Sequence, residues 1–574
     1  MKEGREKEKG LLWLIPYAAA LCAYIIFCLT GALYPDLDNY NVTIVCNGLL
    51  GNNNFCQYTH PLLCLFFRFL KLLLPSADVF TALAHILLIF SLGWMIRLFS
   101  ERYPSKLGLL TAYAGASYLC FGLVLWNVNY TVWAAFFSFV GCLGIFCASD
   151  GKEGRRYRIL GAILYGFGLM YRWHAAFLFL PFIALTIFVR LWEAHFTKES
   201  IRRELRRILP WLIVFAGLGL GRILFYSFEP WKSDIAYDNA RITLGDFPVI
   251  AWDELAQLPE GADEYTYRGA VLGLYADTET MSLDKIGAMA DAGKSYVIRD
   301  KDAVINPFWL MVLNLLEKPV RLLIPLLLLL AVCLLRSFGG KRYNVFAAWG
   351  ALGGALVIIL YFTIRGRAPE RVWLSVFLAA FFSVSATAEM HKEEKKQNMW
   401  QMFSVVLFFA GITGGGYKMT EKPQNVWNAA ADADDTRFSF AYETDTLYLV
   451  GGWMQHTPDE KKIIGNYLYG WYKLEDHFAC QGKLPTDRFL KHFIPNGAFW
   501  YGQEYYRSQL KEMETEDPVV ALFEQDRWRL WDVSEDSLFR EYFFVYLYRR
   551  YGDMDVIKER TIDTYPVYRF EKKQ

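Results

Sequence analysis

The stretch LYFTIRGRAPERVWLSVF, Leu360–Phe377, places a short polar hinge between two apolar runs. The hinge carries Arg365, Arg367 and Arg371 within seven residues. Runs this apolar are typical of membrane helices, so the stretch predicts two spans joined by a tight turn. Which side of the membrane holds the three arginines depends on the rest of the chain.

Apolar runs of similar length recur from the N-terminus to the middle of the chain. The run Ile159–Val189 is interrupted at Tyr171–His174, which predicts two short helices meeting there. The first run, Leu11–Leu33, is too long for a signal-peptide core and is interpreted as a retained helix. About eleven membrane helices are therefore expected, in the runs Leu11–Leu33, Val79–Phe99, Leu107–Trp126, Tyr130–Ser149, Ile159–Val189, Ile208–Phe228, Val320–Leu335, Val345–Ile364, Val372–Ala388 and Trp400–Gly414.

The short basic loops fix the expected orientation. Short loops rich in lysine and arginine favour the cytoplasmic side of a membrane. With the N-terminus inside, all five such loops fall inside: 97–106, 150–158, 190–207, 336–342 and 391–396. Residues 1–424 then form a multispan domain of a cell-membrane protein, with outer loops 34–78 and 229–320, and residues 425–574 form an extracytoplasmic soluble domain.

The composition agrees with this division. Of 574 residues, 54% are hydrophobic and 21% are charged, which fits a helical bundle joined to a sizeable polar part. The net charge is +1 and no basic tract occurs, so nucleic acid is not expected as a partner. Cys46 and Cys56 share an outer loop, where they form either a disulfide or two free thiols.

The C-terminal domain mixes strand and helix patterns, which predicts an α/β or α+β fold. Thr444–Met454 alternates and ends at a glycine pair, as strands do, and Asp517–Gln525 and Tyr565–Lys573 are interpreted as further strands. Ser537–Gly552 has a helical pattern that Gly552 is expected to end.

The predicted orientation puts the arginine hinge outside, where short loops normally avoid lysine and arginine. One interpretation is that these side chains reach for lipid head groups. The other is that they bind an anion, since the arginine fork matches phosphate oxygens and Gly366 lets the backbone approach closely. We favour the second, because three arginines on the unexpected side are costly without a role.

Asp36 and Asp38 follow the first span at the outer surface. A carboxylate there is suited to act as a general base or to hold a divalent cation, and the alternative is a pair of solvated turn residues. The following segment, Thr59–Pro75, has helical periodicity and basic residues on one side, which predicts an amphipathic helix lying in the membrane interface.

Four more outer residues are candidates for substrate binding. Arg172 and His174 lie at the predicted break in the helix, where His174 alone is more simply a hydrogen-bonded interfacial histidine. Arg241 and Asp246 either hold part of a substrate or form a surface ion pair without a function.

These features together resemble the GT-C class of integral-membrane glycosyltransferases. The resemblance rests on the acidic Asp36-Leu37-Asp38 motif, the interfacial helix, the long second outer loop and the soluble tail. The segments Val128–Gly141, Asn239–Pro248 and Gly366–Val372 are also similar to segments of bacterial multispan proteins. The resemblance implies a GT-C-like, all-α membrane fold and an inverting transfer from a polyprenyl-phosphate-linked sugar to a glycan, lipid or protein acceptor. By it, Asp36 or Asp38 is the catalytic base, and the arginines stabilise the leaving phosphate.

Two other classes of function remain open. A polysaccharide polymerase or ligase would use arginines on the carrier phosphate and need no carboxylate base. A transporter of lipid-linked glycans would favour two related halves with broken helices, and the sequence shows no repeated half.

Overall fold

The computed structural model describes most of the helical core and part of the C-terminal domain. The described residues are 14–22, 24–25, 34–35, 42, 45–47, 55–74, 79–102, 127–148, 151–245, 263–271, 277, 281–294, 302–317, 322–338, 341–365, 368–387, 444–451, 492–495, 509–532, 537–562 and 565–573. The predicted spans Leu107–Trp126 and Trp400–Gly414 lie outside these ranges.

The described part of the membrane domain is helical apart from two short strands, β1 and β2. The helices are α1 (Pro61–Leu73), α2 (Val79–Arg102), α3 (Tyr130–Phe146), α4 (Lys152–Tyr171), α5 (Trp173–Phe177), α6 (Leu180–Glu193), α7 (Lys198–Phe225), α8 (Trp231–Gly245), α9 (Glu264–Val271), α10 (Leu283–Lys294), α11 (Asp302–Glu317), α12 (Ile324–Ser337), α13 (Arg342–Ile364) and α14 (Glu370–Ala386). The strands are β1 (Tyr34–Pro35) and β2 (Asn127–Val128), which pair in parallel.

Among the described residues, four helical segments are long and apolar enough to cross a membrane: Val79–Phe99, Trp173–Glu193, Lys198–Phe225 and Arg342–Ile364. Several of their apolar side chains face outward instead of into the bundle. Ile213, Ile223 and Val357 are each more than 60% exposed, as expected for helices surrounded by lipid. Membrane-spanning helices are therefore supported, whereas the expected number of eleven is not established.

The helix ends near the predicted basic loops gather at one end of the bundle, here called the basic end. It holds the C-termini of α2, α3, α6, α12 and α14 and the N-termini of α4, α7 and α13. Direct contacts join these termini: Arg97 with Glu153, Arg190 with the Phe146 carbonyl, Arg336 with the Val384 carbonyl, and Tyr343 with Glu193. Neighbouring helices thus alternate in direction, as the loop charges predict.

The opposite end, here called the Tyr130 end, is closed by the segment before α1. The backbone N–H of His60 donates to the Met170 carbonyl (2.7 Å), and its Nε2 lies 2.9 Å from the Leu218 carbonyl. Arg222 near the end of α7 donates to the carbonyls of Gln57 and Thr59. These bonds fasten the start of α1 across the ends of α4 and α7.

Helix α1 confirms the helix expected in Thr59–Pro75. It buries Leu63, Cys64 and Phe67 on one side. Its other side exposes six large apolar residues: Leu62, Leu65, Phe66, Phe69, Leu72 and Leu73. An apolar side left uncovered on a helix at the end of a membrane bundle fits a position in the interface.

The C-terminal region contains a mixed sheet, as expected for an α/β or α+β fold. The described strands are β3 (Leu447–Gly451), β4 (Phe493–Pro495), β5 (Trp528–Asp532), β6 (Met554–Ile562) and β7 (Tyr565–Lys572), in the order β4-β3-β5-β7-β6. Strand β3 is parallel to β4 and β5, while β7 is antiparallel to β5 and β6.

The described helices beside this sheet include α15 (Pro518–Glu524) and α16 (Ser537–Tyr551). The strands expected near Thr444 and Tyr565 are present, and α16 ends before Gly552, whose φ of 86° suits glycine. The strand expected over Asp517–Gln525 is wrong, because this segment forms α15.

The C-terminal region docks onto the second outer loop through α16 and α9. Asp277 is buried and is bound by Arg550 and the Tyr546 hydroxyl, both on α16. Arg549 adds an exposed ion pair with Asp263 at 3.5 Å and stacks on the Tyr265 ring at 3.9 Å. These contacts place the loop and the tail on the same side of the molecule.

Candidate functional site

The break predicted at Tyr171–His174 is present and positions Arg172. Helix α4 ends at Tyr171 and α5 begins at Trp173, while Arg172 between them has extended backbone angles (φ −155°, ψ 100°). The Arg172 N–H still donates to the Gly168 carbonyl, so the helix ends without an orphaned donor there. The break lies at the Tyr130 end of the bundle.

Two tyrosines hold the guanidinium of Arg172. Its Nη1 donates to the Tyr130 hydroxyl at 2.9 Å. Its Cζ lies 4.4 Å from the centre of the Tyr58 ring and 5.3 Å from that of Tyr130. Such stacking holds a cation in place while leaving other N–H groups available to bind a further acceptor.

Arg172 has no acidic partner in the described part of the chain. No described carboxylate lies within 4.0 Å of it, and Nη1 is the only nitrogen of its guanidinium that donates to a described acceptor. The side chain is half-buried. A partly desolvated guanidinium with spare donors is suited to bind an oxyanion.

Tyr58 links Arg172 to a second arginine. The Tyr58 hydroxyl donates to Asp238 Oδ2 at 2.8 Å, and Asp238 Oδ1 accepts from Arg241 Nε at 2.8 Å and Nη2 at 2.5 Å. Burial, reinforced by the charge of Asp238, raises the pKa of Tyr58 well above its ordinary value. Tyr58 therefore stays protonated and keeps donating to Asp238 at neutral pH.

Arg241 itself is buried and is engaged by Asp238 from its own helix, α8. This geometry differs from the surface ion pair considered from the sequence, and it makes Arg241 a positioning residue for Asp238 and Tyr58. Asp246, its expected companion, lies outside the described residues. His174 is described and is exposed on α5, on the same break as Arg172.

The short strand that leads into the acidic motif lies close to this cluster. Asp36 and Asp38 lie outside the described residues, but Pro35 directly precedes Asp36 and pairs with Val128 of β2. Asn129 follows β2 and caps α3 by accepting from the Thr131 N–H at 2.8 Å, which puts Tyr130 at the first position of the helix. A single residue, Asn129, therefore separates the partner of Pro35 from the tyrosine that binds Arg172.

The arginine hinge lies at the same end of the bundle. Arg365 follows the last residue of α13, and Arg371 is in the first turn of α14; both are half-buried, and Arg367 lies outside the described residues. Helix α13 starts at the basic end and has 23 residues, about 35 Å of helix, so its C-terminus reaches the Tyr130 end. The Trp373 indole N–H donates to the Ala368 carbonyl at 3.0 Å, which closes the turn.

Tyr58, Tyr130 and Asp238 are members of this cluster that sequence reasoning missed. Asp238 stands three residues before Arg241, a spacing that brings two helical side chains together and could have suggested the pair. The tyrosines gave no such signal, because the contacts of Arg172 with them span more than a hundred residues in one case and more than forty in the other.

The remaining candidates lie in surroundings that fit a structural role. Cys46 and Cys56 are free thiols here, and the Sγ of Cys46 lies 3.6 Å from that of Cys64 on α1. His85, within α2, is buried with its Nδ1 2.5 Å from the Tyr24 hydroxyl and its ring against Trp133. In the described residues no group of three or more His, Cys, Asp or Glu side chains could hold a metal ion.

No known protein family, curated protein or solved structure matches this chain.

Proposed function

We propose that this protein transfers a sugar from a polyprenyl-phosphate-linked donor to a glycan, lipid or protein acceptor at the outer face of the cell membrane. The observation that carries the proposal is Arg172: a half-buried guanidinium stacked on Tyr58, with spare donors and no described carboxylate partner. It lies at the end of the bundle where the acidic motif begins and where the arginine hinge turns.

The proposed reaction uses this end of the molecule as follows. Asp36 or Asp38 takes the proton of the acceptor hydroxyl, and the acceptor oxygen attacks the anomeric carbon of the sugar. The bond between that carbon and the phosphate oxygen breaks, and its electron pair stays on the departing polyprenyl phosphate. Arg172, together with Arg365, Arg367 and Arg371, stabilises the negative charge of this phosphate.

The orientation belongs to the same proposal. The basic end faces the cytoplasm, and the Tyr130 end, the second outer loop and the C-terminal domain face outward. The side of α1 that exposes Leu62, Phe66 and Phe69 lies in the outer membrane interface, next to the entry for a lipid-linked donor.

The test uses membranes from cells in which each variant is the sole copy, supplied with a panel of synthetic polyprenyl-phosphate monosaccharides carrying a labelled sugar. Asp36→Asn and Asp38→Asn are made separately, and we expect at least one to lose transfer by about a hundredfold or more while protein levels stay normal. The matched control, Asp284→Asn, removes an exposed carboxylate from α10 and should transfer as the wild type does.

Arginine variants test whether these side chains bind the phosphate of the carrier. Arg172→Gln should weaken binding of unlabelled polyprenyl phosphate by about tenfold or more, because a charge-assisted contact is worth about 1.5–3 kcal/mol. The hinge variant with Arg365, Arg367 and Arg371 all changed to glutamine should also lose carrier affinity.

Normal transfer by both aspartate variants would remove the base mechanism and favour a polymerase or a transporter. Unchanged carrier binding by the arginine variants would leave the hinge as a membrane anchor.

A further inference from the structure

The basic end of the bundle contains an arginine-lined cavity far from the Tyr130 end. Its volume is about 560 Å³, and it lies between α4 and the first turns of α7. Five arginines and one glutamate line it: Arg158, Arg202, Arg203, Arg206, Arg207 and Glu199. The lining therefore has an excess of four positive charges.

A second glutamate, Glu204, lies next to this lining and is already used within the protein. The Glu204 side chain is buried and lies 3.0 Å from Arg207, 3.3 Å from Arg190 and 4.0 Å from Arg203. This ion-pair cluster fixes the wall of the cavity that α7 provides. Glu204 is thus committed to holding arginines in position and does not neutralise the rest of the lining.

Arg202 and Arg206 are left as the open donors of the cavity. Both are exposed, and neither has a carboxylate within 4.0 Å in the described part of the chain. They stand four residues apart on one helix, where two like charges destabilise each other. A bound anion would turn this repulsion into two attractive contacts.

The surroundings indicate which kind of anion reaches the cavity. The same turns of α7 expose Ile201, Leu205 and Leu209, each more than a third exposed. Helix α7 is apolar and long enough to continue into a membrane. A cavity of arginines beside outward-facing aliphatic side chains, where a helix enters the bilayer, fits a lipid phosphate with its acyl chains alongside.

The arginines could serve only to keep this loop in the cytoplasm, but that role needs positive charge alone, and lysines on an extended surface would supply it. A concave wall and the Glu204 ion-pair cluster are not needed for that role. We propose that this cavity binds the phosphate head group of an anionic phospholipid of the inner leaflet, with Arg158, Arg202 and Arg206 as its phosphate ligands.

The test uses the purified full-length protein in nanodiscs or mixed micelles, with phosphatidylglycerol as the probe and phosphatidylcholine as the uncharged reference. We expect wild-type protein to retain phosphatidylglycerol in native mass spectrometry, and Arg202→Gln/Arg206→Gln to bind it about thirtyfold more weakly, since a basic residue near anionic lipid contributes about 1 kcal/mol. The control, Arg155→Gln/Arg156→Gln, removes two exposed arginines of α4 that do not line the cavity, and it should bind as wild type does.

Three outcomes would overturn the proposal. The first is equal phosphatidylglycerol binding by the Arg202/Arg206 variant, and the second is an equal loss in the Arg155/Arg156 control. The third comes from the wild type alone, and so does not depend on how any variant folds: displacement of the lipid by millimolar inorganic phosphate or pyrophosphate would make the ligand a soluble phosphate. Equal melting temperatures in phosphatidylcholine confirm that the variants differ in binding and not in folding.

Discussion

At the scale of single residues, the Tyr130 end combines two arginines with different roles. Arg172 is stacked on tyrosine, and within the described residues only the Nη1 of its guanidinium has an acceptor, whereas Arg241 is buried and committed to Asp238. The difference matters because a buried arginine with a saturated partner stabilises its surroundings, while a partly exposed one with open donors binds ligands.

Arg241→Gln is predicted to destabilise the protein through the charge it leaves behind. Of its described partners, Asp238 would keep only the Tyr58 hydroxyl and would lose its countercharge, and breaking a buried pair costs about 3–5 kcal/mol. The measurement is thermal unfolding of purified protein in detergent. Arg268→Gln serves as the matched control, because it breaks an exposed pair with Glu264 that is worth under about 1 kcal/mol.

A second variant distinguishes lost charge balance from lost packing. Asp238→Asn/Arg241→Gln removes both charges and should recover much of the stability that Arg241→Gln loses. If the double variant is as unstable as the single one, the packing of the arginine side chain, and not its charge, holds this region together.

Arg172 and Arg241 could be predicted as candidates from the sequence, because a charged residue stands out in an apolar run or a polar loop. Tyr58 and Tyr130 could not, since nothing in the sequence indicates which residue each of the 35 tyrosines contacts. Asp36, Asp38, Arg367 and Asp246 remain predictions from the sequence alone.

At the scale of elements, local chemistry explains both a success and a failure. The break after α4 was predictable because Tyr171–His174 interrupts an apolar run. The valines of Asp517–Gln525 favour a strand, but Asp517 accepts hydrogen bonds from the Val519 and Val520 N–H groups and Pro518 occupies the first turn. A helix cap followed by proline outweighs the β-propensity of two valines.

The close packing of α3 against α4 depends on glycine where the two helices touch. A Cβ added to Gly161 would lie 2.5 Å from the Gly141 carbonyl oxygen and 3.0 Å from the Ile145 backbone nitrogen. Neither obstacle can move without moving a helix. Close approach through small residues is how membrane helices pack when no water drives them together.

Gly161→Ala is therefore predicted to destabilise the bundle by about 1–3 kcal/mol, the usual cost of overpacking a core. Gly353→Ala in α13 is the matched control, because nothing lies within 4 Å of its added Cβ. Alanine also favours helix over glycine by about 1 kcal/mol, so the control should melt at the wild-type temperature or above. A Gly161→Ala protein that melts no earlier than the control would mean that α3 and α4 are not tightly packed at this point.

At the scale of the whole molecule, the charge pattern of the loops and the packing of the helices agree. The described helix ends next to the loops expected to share one side lie at one end of the bundle, which could be predicted from the sequence because positive charge sorts loops by side. The folding of the second outer loop into α8–α11 and its contact with the tail were not anticipated. Such contacts form between residues far apart in sequence, as between Asp277 and Arg550, and no local pattern announces them.

The last prediction concerns the orientation of the whole molecule. Three exposed positions are each replaced by cysteine: Glu571 in β7, Asp284 in α10 and Lys198 at the start of α7. A membrane-impermeant maleimide added to intact cells should label positions 571 and 284, and position 198 should react only after the membrane is permeabilised. The physical reason is that lysine and arginine cross the bilayer poorly, so we expect the basic end to stay in the cytoplasm.

The three positions test two claims separately, because the tail and the second outer loop are joined at the buried contact of Asp277 with Arg550 and Tyr546. Labelling of 198 alone in intact cells would reverse the orientation and place the proposed transfer site in the cytoplasm. A split between 571 and 284 would instead contradict the docking of α16 on α9, since two segments in contact cannot lie on opposite sides of a bilayer. Only joint labelling of 571 and 284 is compatible with an outward-facing Arg172 cluster and an inward-facing arginine cavity.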